Sequence, residues 1–175
     1  AVVEHVGLKA CQFSLLSQDQ QLLDHIASFG LDEDFLGRGP VESAGAAEAL
    51  DGKAVIIPDC RSDPRVQYPE AHSAAGLVSS LVIPLKTRGQ VIGTVQLYAA
   101  EAREFSAIDV RVIEVVAAFC ARAVTHSMVH KILDNVTAAI RSSLSLEQAL
   151  ESVARAISED LRLVGCTIHL LDAED

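Results

Sequence analysis

Apolar residues gather in short runs as far as Tyr98 and spread into a helical repeat beyond Phe105. Lys53–Pro58 predicts a short strand that runs into the polar loop Asp59-Cys60-Arg61-Ser62-Asp63-Pro64-Arg65. Ser79–Leu85 and Val91–Tyr98 predict two longer strands joined by Thr87-Arg88-Gly89-Gln90. Two apolar runs around a glycine turn make a hairpin. The long connection from Asp59 to Ser79 is the kind of segment that covers a pocket.

Phe105-Ser106-Ala107-Ile108-Asp109-Val110 has the form of a helix start. Ser106 is placed to cap, Asp109 sits at the third helical position, and Phe105 can pack on Val110 as a hydrophobic staple. Helical residues then run to about Ser143 without Pro or Gly. Ile113, Val116, Cys120 and Val124 form one apolar stripe, and Val129, Ile132, Val136 and Ile140 form another. Thr125, His126 and Ser127 interrupt them, and the register slips. Such a helix is too long to bury its whole length on one small domain. Its far half needs another surface, most simply the same helix of a second chain, which predicts a homodimer through residues 106–143. The other reading is a bent helix packed on its own domain.

A further amphipathic helix is predicted over Leu146–Leu161, with Leu146, Ala149, Leu150, Val153, Ala156, Ile157 and Leu161 on one face. Ser145 and Gln148 have capping-box spacing at its start. The segment after it, Cys166-Thr167-Ile168-His169-Leu170-Leu171, echoes Cys11-Gln12-Phe13-Ser14-Leu15-Leu16 at about one domain's distance. Each copy is followed by a polar, acidic turn. The echo predicts the first strand of one domain and the first strand of a second, truncated one. The expected organisation is a domain over 1–125 without its first helix, a helical linker over 126–144, and the opening of a second domain over 145–175. The trailing helix and strand would then fill the groove of the missing helix, in the same chain or by domain swapping.

A length of 175 residues fits one domain and a fraction. Hydrophobic residues make up 50% of the chain, enough for a sizeable core, and that mass is mainly Ala, Val, Ile and Leu, which suits helices packed on a sheet. A net charge of −10 argues against nucleic acid and against anionic membrane surfaces as partners. No segment approaches the roughly 20 apolar residues of a spanning helix. The chain opens at Ala1 without a methionine, as an excerpt or a processed protein would, and shows no signal peptide. Cys11, Cys60, Cys120 and Cys166 are scattered without a C-x-x-C pair, the pattern of free thiols in a reducing cytoplasm.

The residues from Gly52 to Asp109 resemble the GAF family of small-molecule sensor domains. The matching pieces are the Gly52-x-x-Val55-x-Ile57-x-Asp59 strand, the Asp63-Pro64-Arg65 loop and the Ser80-Leu81-x-x-Pro84-Leu85 strand. The Gly89-x-Val91-Ile92-Gly93 turn and Phe105-x-x-x-Asp109 complete the set. The resemblance implies an α/β (α+β) fold with a central antiparallel sheet of five or six strands, flanking helices and a long C-terminal helix. It also implies a regulatory, ligand-sensing role in a larger cytoplasmic signalling protein rather than an enzyme. A small molecule, itself unidentified, would order the covering loop and bias a dimeric helix. A dimerisation or spacer module without a ligand, and a haem- or thiol-based redox sensor, are the other readings.

Candidate ligand-binding residues, chosen by position, are Phe13, Leu15, Cys60, Arg65, Tyr68, His72, Ser79 and Ser80. His72 lies in the connection from which some haem-binding members of the family supply an axial ligand. Cys60 follows the strand end and could be activated by Arg61, yet no resolving cysteine lies in the loop. Bilin-binding relatives carry a Cys-His pair and nucleotide-binding ones an Asn-Lys motif; this chain has neither, and Val110 stands where the latter carry Glu. Arg61 and Arg65 could clamp an anion, although Asp before Pro also starts an ordinary turn. His126 and His130 have the i, i+4 spacing of a helical metal pair but lack a third ligand, so no metal and no catalytic residue is expected.

Overall fold

The computed structural model describes residues 8–17, 19–141, 146–160 and 164–168. The chain divides into two compact units, residues 1–122 and 123–175. The first is built on a six-stranded sheet made of β1 (Ala10–Leu16), β2 (Leu22–Phe29), β3 (Val41–Glu42), β4 (Val55–Ile57), β5 (Ser79–Thr87) and β6 (Gln90–Ala99). Their order is β3-β2-β1-β6-β5-β4, and every neighbouring pair is antiparallel. This is the sheet expected from the sequence, with β2 and β3 as its unforeseen members. The predicted hairpin is β5–β6, turning on Arg88 and Gly89, both with positive φ (49° and 82°). That is the backbone of a two-residue turn matched to strand twist, and it is why a glycine closes it.

Strand alternation separates two faces. Cys11, Leu81, Ile83, Leu85, Val95, Leu97 and Ala99 point to one face and form the main core, with Phe13 and Leu15 packed at its margin. Helix α4 (Ala107–Arg141) lies over them and contributes Ile113, Ala117 and Ala121, with Val110 and Cys120 alongside. The small alanines let the helix approach the sheet closely. Gly93, facing Leu15 on β1 and Leu85 on β5, allows a close approach of another kind, between β6 and the β1 backbone. A Cβ there would run into the Ser14 carbonyl oxygen and come within 2.8 Å of Leu15 Cα.

The start of α4 is the predicted capping box. Ser106 Oγ accepts the Asp109 N–H (3.2 Å), while Asp109 Oδ2 accepts the Ser106 N–H (2.9 Å). Phe105 is buried beside Val110, completing the staple. The helix runs without a break through Thr125–Ser127, the residues that interrupt its apolar stripe. Its outer side is apolar as well: Ile108, Val112, Val115 and Phe119 are exposed, Phe119 by 70%. Among the described residues no helix is long and apolar enough to cross a membrane.

On the opposite face the chain from residue 31 to 78 forms a second layer. It holds α1 (Glu33–Leu36), a 3₁₀ turn (Ser43–Ala46), α2 (Ala47–Leu50) and α3 (Pro69–Ala74). Phe35, Leu77 and Tyr98 with Ala10 make one small core beneath it, and Ala49, Val55, Ile57, Cys60 and Val82 make another. Helix α5 (Leu146–Asp160) belongs to the second unit and matches the predicted amphipathic helix to within a residue. Its cap at Ser145 lies outside the described residues. Of the echo at Cys166–Leu171 only the part through Ile168 is described, and that part is not in a strand.

Candidate functional site

The second layer does not close completely on the sheet. Between them lies a cavity of about 110 Å³, floored by Val55, Ile57, Val82, Thr94 and Gln96 and roofed by the 41–49 segment and Arg65–Tyr68. Arg38 and His72 complete the wall. The volume is below the roughly 300–1,000 Å³ of pockets that take drug-sized ligands, so the natural occupant would be small. A wider cleft of about 430 Å³ lies at the strand ends among Leu16, Gln20, Asp51 and Gln90, but no residue of its wall is buried.

The sheet face turned to the second layer carries polar residues through the same alternation that makes the other face apolar, and Thr94 and Gln96 among them line the cavity. Gln12, Ser14, Ser80 and Thr94 are buried, each one residue out of phase with the core positions. Gln12 pairs with Gln96 and Ser14 with Thr94 across the β1–β6 ladder. Gln12 Nε2 donates to Ser14 Oγ (3.1 Å), which leaves its carbonyl oxygen to accept from Arg38 (3.0 Å). Arg38 also donates to the Phe35 carbonyl (2.7 Å) and lies 4.0 Å over the Phe35 ring. Its position follows from α1, which Asp32 caps by accepting the Phe35 N–H (2.8 Å).

His72 stands next to this guanidinium group. Its ring meets Phe35 edge-on (centroids 5.0 Å apart) and tilts against Tyr98 at 5.7 Å. Nδ1 lies 2.7 Å from the Tyr68 carbonyl, which can only accept, so Nδ1 carries the proton. Burial pushes the His72 pKa down, with Arg38 adding to the effect, so Nε2 is a lone-pair acceptor. Three buried polar atoms have no partner among the described residues: Arg38 Nε, His72 Nε2 and Tyr98 Oη. Burial likewise raises the Tyr98 pKa and keeps its hydroxyl protonated.

The loop that roofs the cavity is held by two Asp–Arg pairs of the same design. Asp59 accepts from Arg61 Nε and a terminal nitrogen, both at 2.8 Å, which holds the Asp59 pKa down to about 2. Asp63 accepts from Arg65 at 2.8 and 2.6 Å and also from the Arg65 backbone N–H (3.0 Å), an Asx turn. Arg65 then reaches the Ile56 carbonyl (3.1 Å) and Glu48 (3.3 Å), tying roof to β4. Both arginines are spent on this scaffold rather than on an anion clamp.

A family model of the GAF domain matches residues 1–125. The chain belongs to the GAF domain family. Members of this family are typically regulatory sensor modules of signalling proteins. Similar structures include the GAF domain of a phosphoenolpyruvate-protein phosphotransferase from Coxiella burnetii, at TM-score 0.64 and 16% identity, covering 74% of this chain and 79% of that one. GAF3 of Slr1393 from Synechocystis sp. PCC6803, solved in its photoproduct state, is similar at TM-score 0.60 and 11% identity over 73% and 89% of the two chains. A type II free methionine-R-sulfoxide reductase from Thermoplasma acidophilum gives 0.56 and 19% over 69% and 82%. Likeness at this level of identity establishes the fold. No curated protein sequence matches the chain.

Within the GAF domain, three of the eight predicted ligand residues line the cavity: Arg65, Tyr68 and His72. Tyr68 donates its hydroxyl to the Pro40 carbonyl (2.7 Å). Phe13 and Leu15 are corrected: strand alternation sends them to the α4 face, and their neighbours Gln12 and Ser14 take the cavity side. Cys60, Ser79 and Ser80 are fully buried and lie outside the cavity wall. Cys60 packs on Val55, Ile57 and Val82, and burial pushes its thiol pKa up, with the Asp59 and Asp63 charges adding to it. The expected activation by Arg61 is absent, since Asp59 holds that guanidinium. Ser79 Oγ donates to the Glu101 carbonyl (2.8 Å) and Ser80 Oγ accepts from Gln96 (3.4 Å).

The cavity and the buried, partly bonded His72 do not fit a haem. His126 and His130 do approach, Nε2 to Nε2 at 3.1 Å, on an exposed helix face. Among the described residues no three His, Cys, Asp or Glu side chains gather for a metal ion. The decisive residue absent from the sequence reading is Arg38. Its loop carries no motif, but reading β1 and β6 by odd and even positions would have exposed the polar face of Gln12, Ser14, Thr94 and Gln96.

Proposed function

We propose that this chain is the sensory input module of a larger signalling protein, and that a small molecule binds in the cavity between the sheet and the 41–72 layer. The observation that carries this reading is a cavity whose wall holds polar groups without partners. Thr94 and Gln96 line the cavity, Gln12 on the same strand face holds Arg38, and Arg38 Nε and His72 Nε2 of the wall residues have no partner among the described residues. A ligand bonded to Thr94 or Gln96 would pull on a strand whose alternate residues, Val95 and Leu97, support α4. Binding on one face of the sheet would in this way bias the helix on the other. The module binds rather than catalyses in this reading.

The output is proposed to pass through a homodimer of α4. Its exposed apolar residues Ile108, Val112, Val115 and Phe119 follow a four-three-four spacing, the seam of a coiled coil. In sequence the same spacing runs on through Arg122 and His126 to Val129 and Leu133. The opening of a second domain over 145–175 and a cytoplasmic location remain part of the proposal, supported by the sequence echo and the unpaired cysteines. Native mass spectrometry of the freshly purified chain tests both parts. A dimer carrying a stoichiometric extra mass is expected, and Phe119→Glu should give a monomer that keeps the mass. A bare dimer would favour the spacer module, and a wild-type monomer would refute the role of α4.

A further inference from the structure

Every other arginine for which a salt bridge is described has an acidic partner: Arg61 with Asp59, Arg65 with Asp63 and Glu48, Arg103 with Asp109, and Arg155 with Glu151. Arg38 differs. It lines the cavity, its described hydrogen bonds go to two neutral oxygens, of Phe35 and Gln12, and no carboxylate lies within ion-pair distance among the described residues. Its Nε–H is buried without a partner. The other wall charges, Arg65 and Glu48, cancel each other at 3.3 Å. In a chain with a net charge of −10, an acidic partner for Arg38 would have been easy to supply. Leaving a half-buried guanidinium without one is costly unless an anion arrives from outside.

We infer that the cavity takes a small carboxylate, with Arg38 as its counter-ion and a hydroxyl or amide N–H of the ligand donated to His72 Nε2. The inference rests on the cavity being the ligand site, as proposed above. Three N–H donors of Arg38 remain after its bonds to Phe35 and Gln12, in the planar fork that matches a carboxylate. The Phe35 ring lies 4.0 Å from the guanidinium carbon and packs against that fork. His72 is 5% exposed, packs on the same Phe35 ring, and has its other nitrogen committed to Tyr68, so Nε2 can only accept. The two groups together ask for an anion and a donor. The cavity of about 110 Å³ restricts the pair to a compact molecule such as a short hydroxy acid.

The test uses the whole chain with lactate, acetate and succinate as charged probes, lactamide and acetamide as neutral counterparts, and inorganic phosphate. Thermal shift is read against each variant's own baseline, and calorimetry supplies the affinity. Lactate is expected to stabilise the wild type while lactamide does not. Arg38→Met should weaken lactate by about 10- to 100-fold, the loss of charged hydrogen bonds. Arg38→Lys, which keeps the charge, should lose less and covers a failure of the Met variant to fold. His72→Phe should weaken lactate and leave acetate unchanged. Ala46→Phe, which fills the cavity, should abolish binding altogether. Lactate binding lost in Ala46→Phe but retained in Arg38→Met would overturn the inference and leave the cavity as the site. Binding retained in both would remove the cavity reading as well. Equal response to lactate and lactamide, a response to phosphate alone, or no response to any probe would each overturn the carboxylate assignment.

Discussion

Two tyrosines near the cavity allow the same atom to be deleted with opposite expected signs. Tyr98 is completely buried and its hydroxyl has no partner among the described residues, whereas the Tyr68 hydroxyl donates to the Pro40 carbonyl at 2.7 Å. An unpartnered buried hydroxyl costs about 1–3 kcal/mol of desolvation. Tyr98→Phe removes only that oxygen, keeps the ring against Phe35 (centroids 5.7 Å apart), and opens a gap too small to count as a cavity. The dispersion attraction between that oxygen and its surroundings disappears with it and offsets part of the gain. Tyr98→Phe should therefore stabilise the unliganded chain by about 1 kcal/mol. Tyr68→Phe breaks a made bond and strands a carbonyl, which should cost about 0.5–1.5 kcal/mol. For a chain of this size the two variants should move the melting temperature by about 3 °C each, upward for Tyr98→Phe and downward for Tyr68→Phe. Urea unfolding at constant m-value provides the free energies. If Tyr98→Phe melts as low as Tyr68→Phe, the hydroxyl has a partner in solution, and the reading of Tyr98 Oη as unsatisfied fails.

Two further perturbations test the frame that positions the site. Asp109 has a pKa below the ordinary carboxylate value because it accepts the Ser106 N–H and hydroxyl, with Arg103 adding to this. Its stabilising contribution is therefore complete above the unfolded pKa of about 4 and is lost as pH falls through the lower folded value. Ser106→Ala should cost about 1 kcal/mol at pH 7, and Asp109→Asn should flatten the acid limb of stability, both measured by urea unfolding between neutral and acid pH. Gly93→Ala would place a methyl against the β1 backbone, at 2.8 Å from Leu15 Cα. It should destabilise by about 1–3 kcal/mol or more, and an unchanged urea midpoint would show that β1 and β6 can separate freely there.

The sequence alone determined the elements whose causes are local. The β5–β6 hairpin follows from two apolar runs and Gly89, and the start of α4 from the spacing of Phe105, Ser106 and Asp109. Order and spacing of such short pieces were enough to name the family and its antiparallel sheet. The Asx turn at Asp63-Pro64-Arg65 was legible for the same reason, since Asp63 bonds a residue two positions away. Tertiary structure decided which face each strand residue takes. Phe13 and Gln12 are neighbours in the chain, yet one packs at the α4 core and the other holds Arg38, because a strand turns alternate side chains to opposite sides. Arg38 itself was invisible in the sequence: its meaning is that no acid among the described residues pairs with it and that Gln12, 26 positions away, does bond it. Exposure of Phe119 and burial of Ala117 on the same helix likewise depend on where the sheet lies, not on the residues' own hydrophobicity. Local hydrogen bonds and turn conformations are written in adjacent residues. A cavity, and the charge left over within it, arises only where distant segments meet.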